Sequence, residues 1–189
     1  RTYNRITEYR IQKEISGNLI RFHVRANSDS EEDQALKLKV KDKVVKYLEE
    51  ELEQANTLDG ARNILYYGIS EIEEIALTTI REEGYDYPVN IYFEDAYFPI
   101  KTYGDMVFPA GEYEAFRIDI GESEGKNWWC VLYPPLCFVD STYSVVPDST
   151  KEIFQNVLSE EAYSAITASD LDNVNYEVRF KYLTFLNKF

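Results

Sequence analysis

Histidine occurs once in the 189 residues, methionine once and cysteine twice. A zinc site wants three or four nitrogen or sulfur ligands, so His23, Cys130 and Cys137 cannot supply a usual set without carboxylates. No obligate metal and no cofactor are expected. A Ser-His-Asp system could draw only on His23. Basic residues are scarce as well: Lys and Arg total 20 against 34 Asp and Glu, a formal net charge of −14. Phosphate binding needs a surplus of Lys and Arg, so nucleic acid and anionic membrane surfaces are poor partners for this chain. Long hydrophobic runs are lacking too. The longest uncharged apolar run, Trp128–Val139, falls short of the roughly 20 residues that span a bilayer, and Pro134 and Pro135 would break a helix there. No phosphate-binding loop is present. Gly121–Asn127 has one residue too few between its glycines and no Ser or Thr after Lys126, so it reads as a polar loop. The chain opens on Arg1 rather than Met, as expected of a processed or truncated product whose signal or anchor lies upstream.

What the chain has in quantity is aromatic residues: 16 Tyr and 10 Phe, within a hydrophobic content of 44%. That load excludes disorder, and the length suits one domain able to bury its own core.

Residues 1–17 are polar with scattered Tyr and Ile and carry no clear period. In the strand expected at Asn18–Arg25, Ile20, Phe22 and Val24 point one way and Arg21, His23 and Arg25 the other, placing a basic stripe on an acidic protein. The turn Asn27–Asp33 offers competing caps, Ser28 with Glu31, Asp29 with Glu32 and Ser30 with Asp33. Beyond it Leu36, Val40, Val44, Leu48 and Leu52 recur at every fourth position, which predicts an amphipathic helix. Asn56 or Thr57 caps a second helix. Leu58, Ala61, Leu65, Gly68, Ile72, Ile75 and Thr79 form its seam, Gly84 stops it, and the short joint makes the two helices an antiparallel pair. The period then changes to two in Val89–Glu94 and again in Gly111–Gly121, with further strand or loop at Ala96–Lys101 and Asp105–Phe108. Trp128–Val139 reads as a buried strand and loop. Short helical stretches open at Pro147 and Ser159, and Tyr176–Phe180 alternates as a last strand. The expected architecture is α+β: a single domain over 18–189 with an antiparallel sheet packed on a long helix pair, followed by a C-terminal helical piece and strand. Residues 1–17 are a polar N-terminal segment.

Few residues stand out as chemistry. His23 could act as a general base with Asp29 or Asp33. The plainer reading is a strand histidine hydrogen-bonded between Arg21 and Arg25, which would lower its pKa. Cys130 and Cys137 enclose a short loop, and a bridge and two buried free thiols both fit. Gly84–Gly104 is rich in rings, Tyr92, Tyr97, Phe98 and Tyr103 among them, and Trp128 and Trp129 are adjacent. Neighbouring strand residues face opposite sides, so a one-sided core takes only one of these tryptophans and the other needs a further element or a partner. Two contact surfaces therefore compete: the aromatic group just named, which is favoured because interface anchors are usually Trp, Tyr or Arg, and the Arg21/Arg25 stripe.

Three segments carry a family resemblance: Leu19–Asp42 (LIRFHVRANSDSEEDQALKLKVKD), Pro109–Ala115 (PAGEYEA) and Gly125–Asp140 (GKNWWCVLYPPLCFVD). Together they resemble the stage II sporulation protein R family from about residue 15 to 140, and more loosely through Tyr176–Phe180. The resemblance implies an N-terminal export segment upstream of Arg1. The resemblance implies a signalling domain, not an enzyme, exported from the forespore into the space between forespore and mother cell. Its implied partner is a membrane-embedded aspartic protease of the mother cell, which then processes the sigma-E precursor. An extracytoplasmic location also implies a Cys130–Cys137 disulfide. The rival is a cell-wall hydrolase using His23 with carboxylates such as Asp29 or Glu112.

Overall fold

Strict alternation in Ile20–Arg25 (β1) gives the molecule its central strand, and β1 is covered on both faces. The computed structural model describes residues 2–137 and 145–167. Ahead of β1 lies helix α1 (Thr2–Gly17). After it come α2 (Glu31–Leu52), α3 (Leu58–Tyr67) and α4 (Ile69–Glu82), then β2 (Val89–Phe98), β3 (Lys101–Tyr103), β4 (Met106–Phe108), β5 (Gly111–Ile120), β6 (Asn127–Tyr133), α5 (Asp148–Val157) and α6 (Glu160–Thr167). The fold is α+β in a single domain. The expected strand at Tyr176–Phe180 and the curl toward Phe189 lie outside the described residues.

Four strands form the main sheet in the order β2-β5-β1-β6, and β3 and β4 form a separate two-stranded ladder. β2 and β6 run antiparallel to their neighbours. β1 and β5 run parallel, with His23 opposite Arg117, so the sheet is mixed where the sequence suggested antiparallel pairing throughout. A parallel pair needs a long crossover, and the three helices and β2 supply it.

One face of the sheet presents Ile20, Phe22, Val24, Phe116, Ile118 and Ile120 to the helices. All five members of the α2 seam are buried, as their spacing predicts. Of the competing caps, Ser30 is the one used: its side chain accepts from the Asp33 backbone N–H at 3.1 Å. Asn27 and Ser28 donate instead to the Asp33 carboxylate, at 2.8 and 2.6 Å. Burial opposes ionisation of Asp33, but these bonds hold its carboxyl below the usual range. Thr57 caps α3. The single second helix that the sequence suggested is two helices, because the ladder breaks at Gly68, the residue with the weakest hold on helical geometry. Gly84 ends α4 at φ +86° while the Tyr85 N–H reaches back to the Ile80 carbonyl.

The other face is closed by α1, α5, α6 and the β3–β4 hairpin, which contribute Ile15, Phe154, Ala162, Ile166, Met106 and Phe108. Glu14 of α1 accepts from both the backbone N–H and the hydroxyl of Ser159, tying α1 to the start of α6. Cys130 and Cys137 are joined as a disulfide with Cα atoms 5.4 Å apart, so the free-thiol alternative is ruled out. Leu136 and Cys137 both donate backbone N–H to the Val131 carbonyl, folding that loop back on β6.

The polar loop before β6 docks on the turn after β1. Asn27 Oδ1 accepts from the Glu122 N–H at 2.9 Å and Asp29 Oδ1 from the Lys126 N–H at 2.8 Å. Gly125 passes so close that a Cβ there would lie 2.2 Å from the Ser28 carbonyl oxygen, which accounts for glycine at that position. Among the described residues no helix is long and apolar enough to cross a membrane.

Candidate functional site

The second face of the sheet collects most of the residues singled out as candidates. Arg21, His23 and Arg25 do share that face, but they form no surface stripe. Arg21 is 0% exposed and His23 4%. Arg25 is half-buried, and its Nε donates to the Gly125 carbonyl at 3.1 Å. The expectation of a solvent-facing basic patch fails because α1, α5, α6 and the hairpin supply a second layer.

Arg21 lies in a cage of rings. Its Cζ is 4.5 Å from the centroid of Phe98, 5.0 Å from Tyr113, 5.7 Å from Phe108 and 5.8 Å from Tyr103. Stacking of a guanidinium on aromatic faces is favourable, the more so when desolvated. Its one hydrogen bond among the described residues runs from Nη2 to the Tyr103 hydroxyl, at 3.2 Å. Nε and Nη1 are buried without a partner among the described residues, as is Trp129 Nε1. Burial lowers the Arg21 pKa, with Tyr103 and Tyr113 opposing. The same burial raises the Tyr103 phenol and pushes Tyr113 up to about 12. Trp129 packs edge-on to Phe98 at 5.3 Å, and Lys101 Nζ sits 4.6 Å above its indole. Tyr103 links the set again by donating to the Trp129 carbonyl at 3.4 Å.

Next to the cage, toward the β5–β6 loop, runs a polar chain across three strands. His23 Nε2 lies 3.1 Å from Glu94 Oε1. Arg117 donates from Nη1 to the same oxygen at 2.9 Å and from Nε to Asp119 Oδ1 at 2.7 Å. Tyr92 donates to Asp119 Oδ2 at 2.9 Å, and its ring receives the Arg117 guanidinium at 5.6 Å. Burial lowers the His23 pKa, Arg117 adds to the effect and Glu94 opposes it. The arginine responsible is therefore Arg117 and not the strand neighbours Arg21 and Arg25. Burial and the bond to Asp119 push the Tyr92 phenol up to about 12.

Neither Asp29 nor Asp33 serves His23, since both are committed to the turn after β1. Glu112 lies on the opposite sheet face, at the register position of Tyr97. The constellation of the hydrolase reading is thus not assembled. Trp128 belongs to the first face, edge-on to Phe22 at 5.9 Å with Lys41 Nζ 4.9 Å above it, so the adjacent tryptophans serve the two opposite layers. Tyr97 is 67% exposed, whereas Phe98 is buried. The two surfaces weighed against each other in the sequence are largely one place: Arg21 is enclosed by Phe98 and Tyr103 beside Trp129. The sequence places Lys101, Glu94, Arg117 and Asp119 in strands but does not mark them as site residues. For β5 the signal was present, since Arg117 and Asp119 alternate with Phe116, Ile118 and Ile120 as Arg21 and His23 do with their apolar neighbours. Tyr66 and Tyr67 at the end of α3 are exposed as well, 62% and 82% accessible, outside the predicted seam.

The family model described as Stage II sporulation protein R (spore_II_R) matches residues 16–143. A curated relative named "Stage II sporulation protein R" from Bacillus subtilis (strain 168) is 43% identical over 126 residues, covering 67% of this chain and 56% of the relative. The chain thus spans little more than half the length of that relative. No solved structure matches the chain significantly.

Proposed function

The chain belongs to the stage II sporulation protein R family, and from that premise we propose that it is the exported sporulation signal that triggers a membrane-embedded aspartic protease of the mother cell to process the sigma-E precursor. The match over residues 16–143 carries this reading, because it takes in both halves of the sheet and the turn and loop that dock on each other. The protein acts by contact rather than by turnover. The Cys130–Cys137 disulfide supports export from the forespore to the intermembrane space, since such bonds persist in oxidising compartments. The burial of His23 against Glu94 and Arg117, away from Asp29 and Glu112, tells against the hydrolase. For the receptor contact we favour the aromatic side, with the accessible Tyr97 as the first residue to test.

Reconstitution tests the proposal. Purified chain added to vesicles carrying the protease and the sigma-E precursor should start processing of the precursor. If processing is the same with and without the chain, the proposal is wrong.

A further inference from the structure

A guanidinium buried for structural reasons normally has a carboxylate beside it, because an uncompensated charge in a low-dielectric interior is costly. Arg21 breaks that rule. The nearby acids on its sheet face are engaged elsewhere, Glu94 with His23 and Arg117, and Asp119 with Arg117 and Tyr92. What surrounds Arg21 has donors to spare. Among the described residues Arg21 Nε and Nη1 and Trp129 Nε1 are buried and unpartnered, and the Tyr103 hydroxyl already gives its proton to the Trp129 carbonyl. Lys101 adds a second positive charge above the Trp129 ring and has no ion pair among the described residues.

We propose that Arg21, Lys101 and the indole N–H of Trp129 form a binding site for a carboxylate. The arrangement supplies what that ligand needs, namely a planar guanidinium with free N–H groups, a second cation at the rim and flat apolar walls. A phosphate dianion, more strongly hydrated, would need more donors than the cage offers. Access lies on the side of the β3–β4 hairpin. Lys101, Tyr103 and Trp129 are only half-buried. The hairpin turns at Gly104 and its backbone ladder is its own, so moving it breaks no ladder bond of the main sheet, although it does break the bonds of the Tyr103 hydroxyl to Arg21 and to the Trp129 carbonyl.

The site is tested on the purified chain alone, so its failure is separate from failure of the signalling reading. Unfolding midpoint and tryptophan fluorescence are followed on titration with acetate, with a tetraglutamate peptide at equal carboxylate concentration and with inorganic phosphate, each against chloride at matched ionic strength. Acetate should raise the midpoint in a saturable way. Arg21→Met should abolish the response while unfolding no earlier than the parent chain, because it removes an unpaired buried charge at nearly the same volume. Lys101→Met, a change at the rim that leaves the core intact, should move the response to several-fold higher acetate. A peptide response exceeding the acetate response assigns the carboxylate to a protein segment, and an equal response assigns it to a small molecule; both sustain the site. No response to either carboxylate, an unchanged response in either variant, or a phosphate response equal to that of acetate overturns it.

Discussion

The two faces of one sheet are built on opposite rules. Toward α2, α3 and α4 the strands present mainly Ile, Phe and Val, and the charge on that face is paired, Glu114 of β5 accepting two bonds from Arg62 of α3. Toward α1, α5, α6 and the hairpin the same strands present Arg21, His23, Arg117 and Asp119 among aromatic rings. The first face gains stability from nearly every residue it buries, at roughly 25 cal/mol per Å² of apolar surface. The second spends part of that gain holding charge out of water. A protein that needed only to fold would favour Met at position 21. The contrast separates a face packed mainly by apolar side chains from one that buries charge among aromatic rings.

The harshest way to break this contrast is Phe22→Ala. Phe22 is fully buried and lies 6.2 Å from Phe116 and 5.9 Å from Trp128, ring to ring. Its loss should cost about 3–5 kcal/mol, read as a lower urea midpoint, and sporulation signalling should fall only in proportion to the unfolded fraction. Next comes the disulfide, which closes the same face at β6. Replacing Cys130 and Cys137 together by Ala should cost about 2–3 kcal/mol, and a reductant should lower the midpoint of the parent chain but not of the double variant. Smaller still is Ser30→Ala, which removes the cap of the helix lining that face. A loss of about 0.5–2 kcal/mol is expected, and an unchanged thermal midpoint would show that the other turn residues cap α2 by themselves.

The smallest effect sharpens the contrast from the charged side. The His23 pKa is lowered in the folded protein, so the unfolded chain takes up its proton first as the pH falls. The stability due to neutral His23 is therefore fully present above the unfolded value of about 6.5 and is lost as the pH drops from there toward the folded value. His23→Gln should flatten that part of the stability–pH curve while leaving the acid limb of the carboxylates in place. A parallel slope in parent and variant from pH 7 to 5 would contradict it.

Much of the first face was legible in the sequence because burial there follows a strict period. Leu36 to Leu52 at every fourth position, and Ile20, Phe22 and Val24 against their charged neighbours, each admit one reading. The second face was harder to see. Alternation tells which residues share a side and not whether another layer covers it, so Arg21 and His23 read as exposed. The cover comes partly from α1, whose sequence has no clean apolar stripe although Ile15 is fully buried. The pairing of β1 with β5 was equally hidden, because nothing local in either strand tells parallel from antiparallel. Of the candidate residues, Phe98, Tyr103, Trp129 and Arg21 did converge. Strand register brings Arg117 opposite His23, and packing of the hairpin brings Lys101 over Trp129, neither of which local sequence specifies.

The strand order also has a consequence for how the chain is made. β5 lies between β1 and β2 and is hydrogen-bonded to both, yet it is the later of the three to leave the ribosome. A chain stopped before Gly111 holds two strands with no partner between them, and Ile20, Phe22 and Val24 have only the helices to pack against. Contacts that span so much sequence form slowly, because the loop between them must close before they contribute. The sheet therefore cannot close before β5 is present, nor can the part of the cage around Arg21 that Tyr113 supplies. Truncation within β5 should leave a helical fragment with a bare guanidinium rather than a weaker version of the whole.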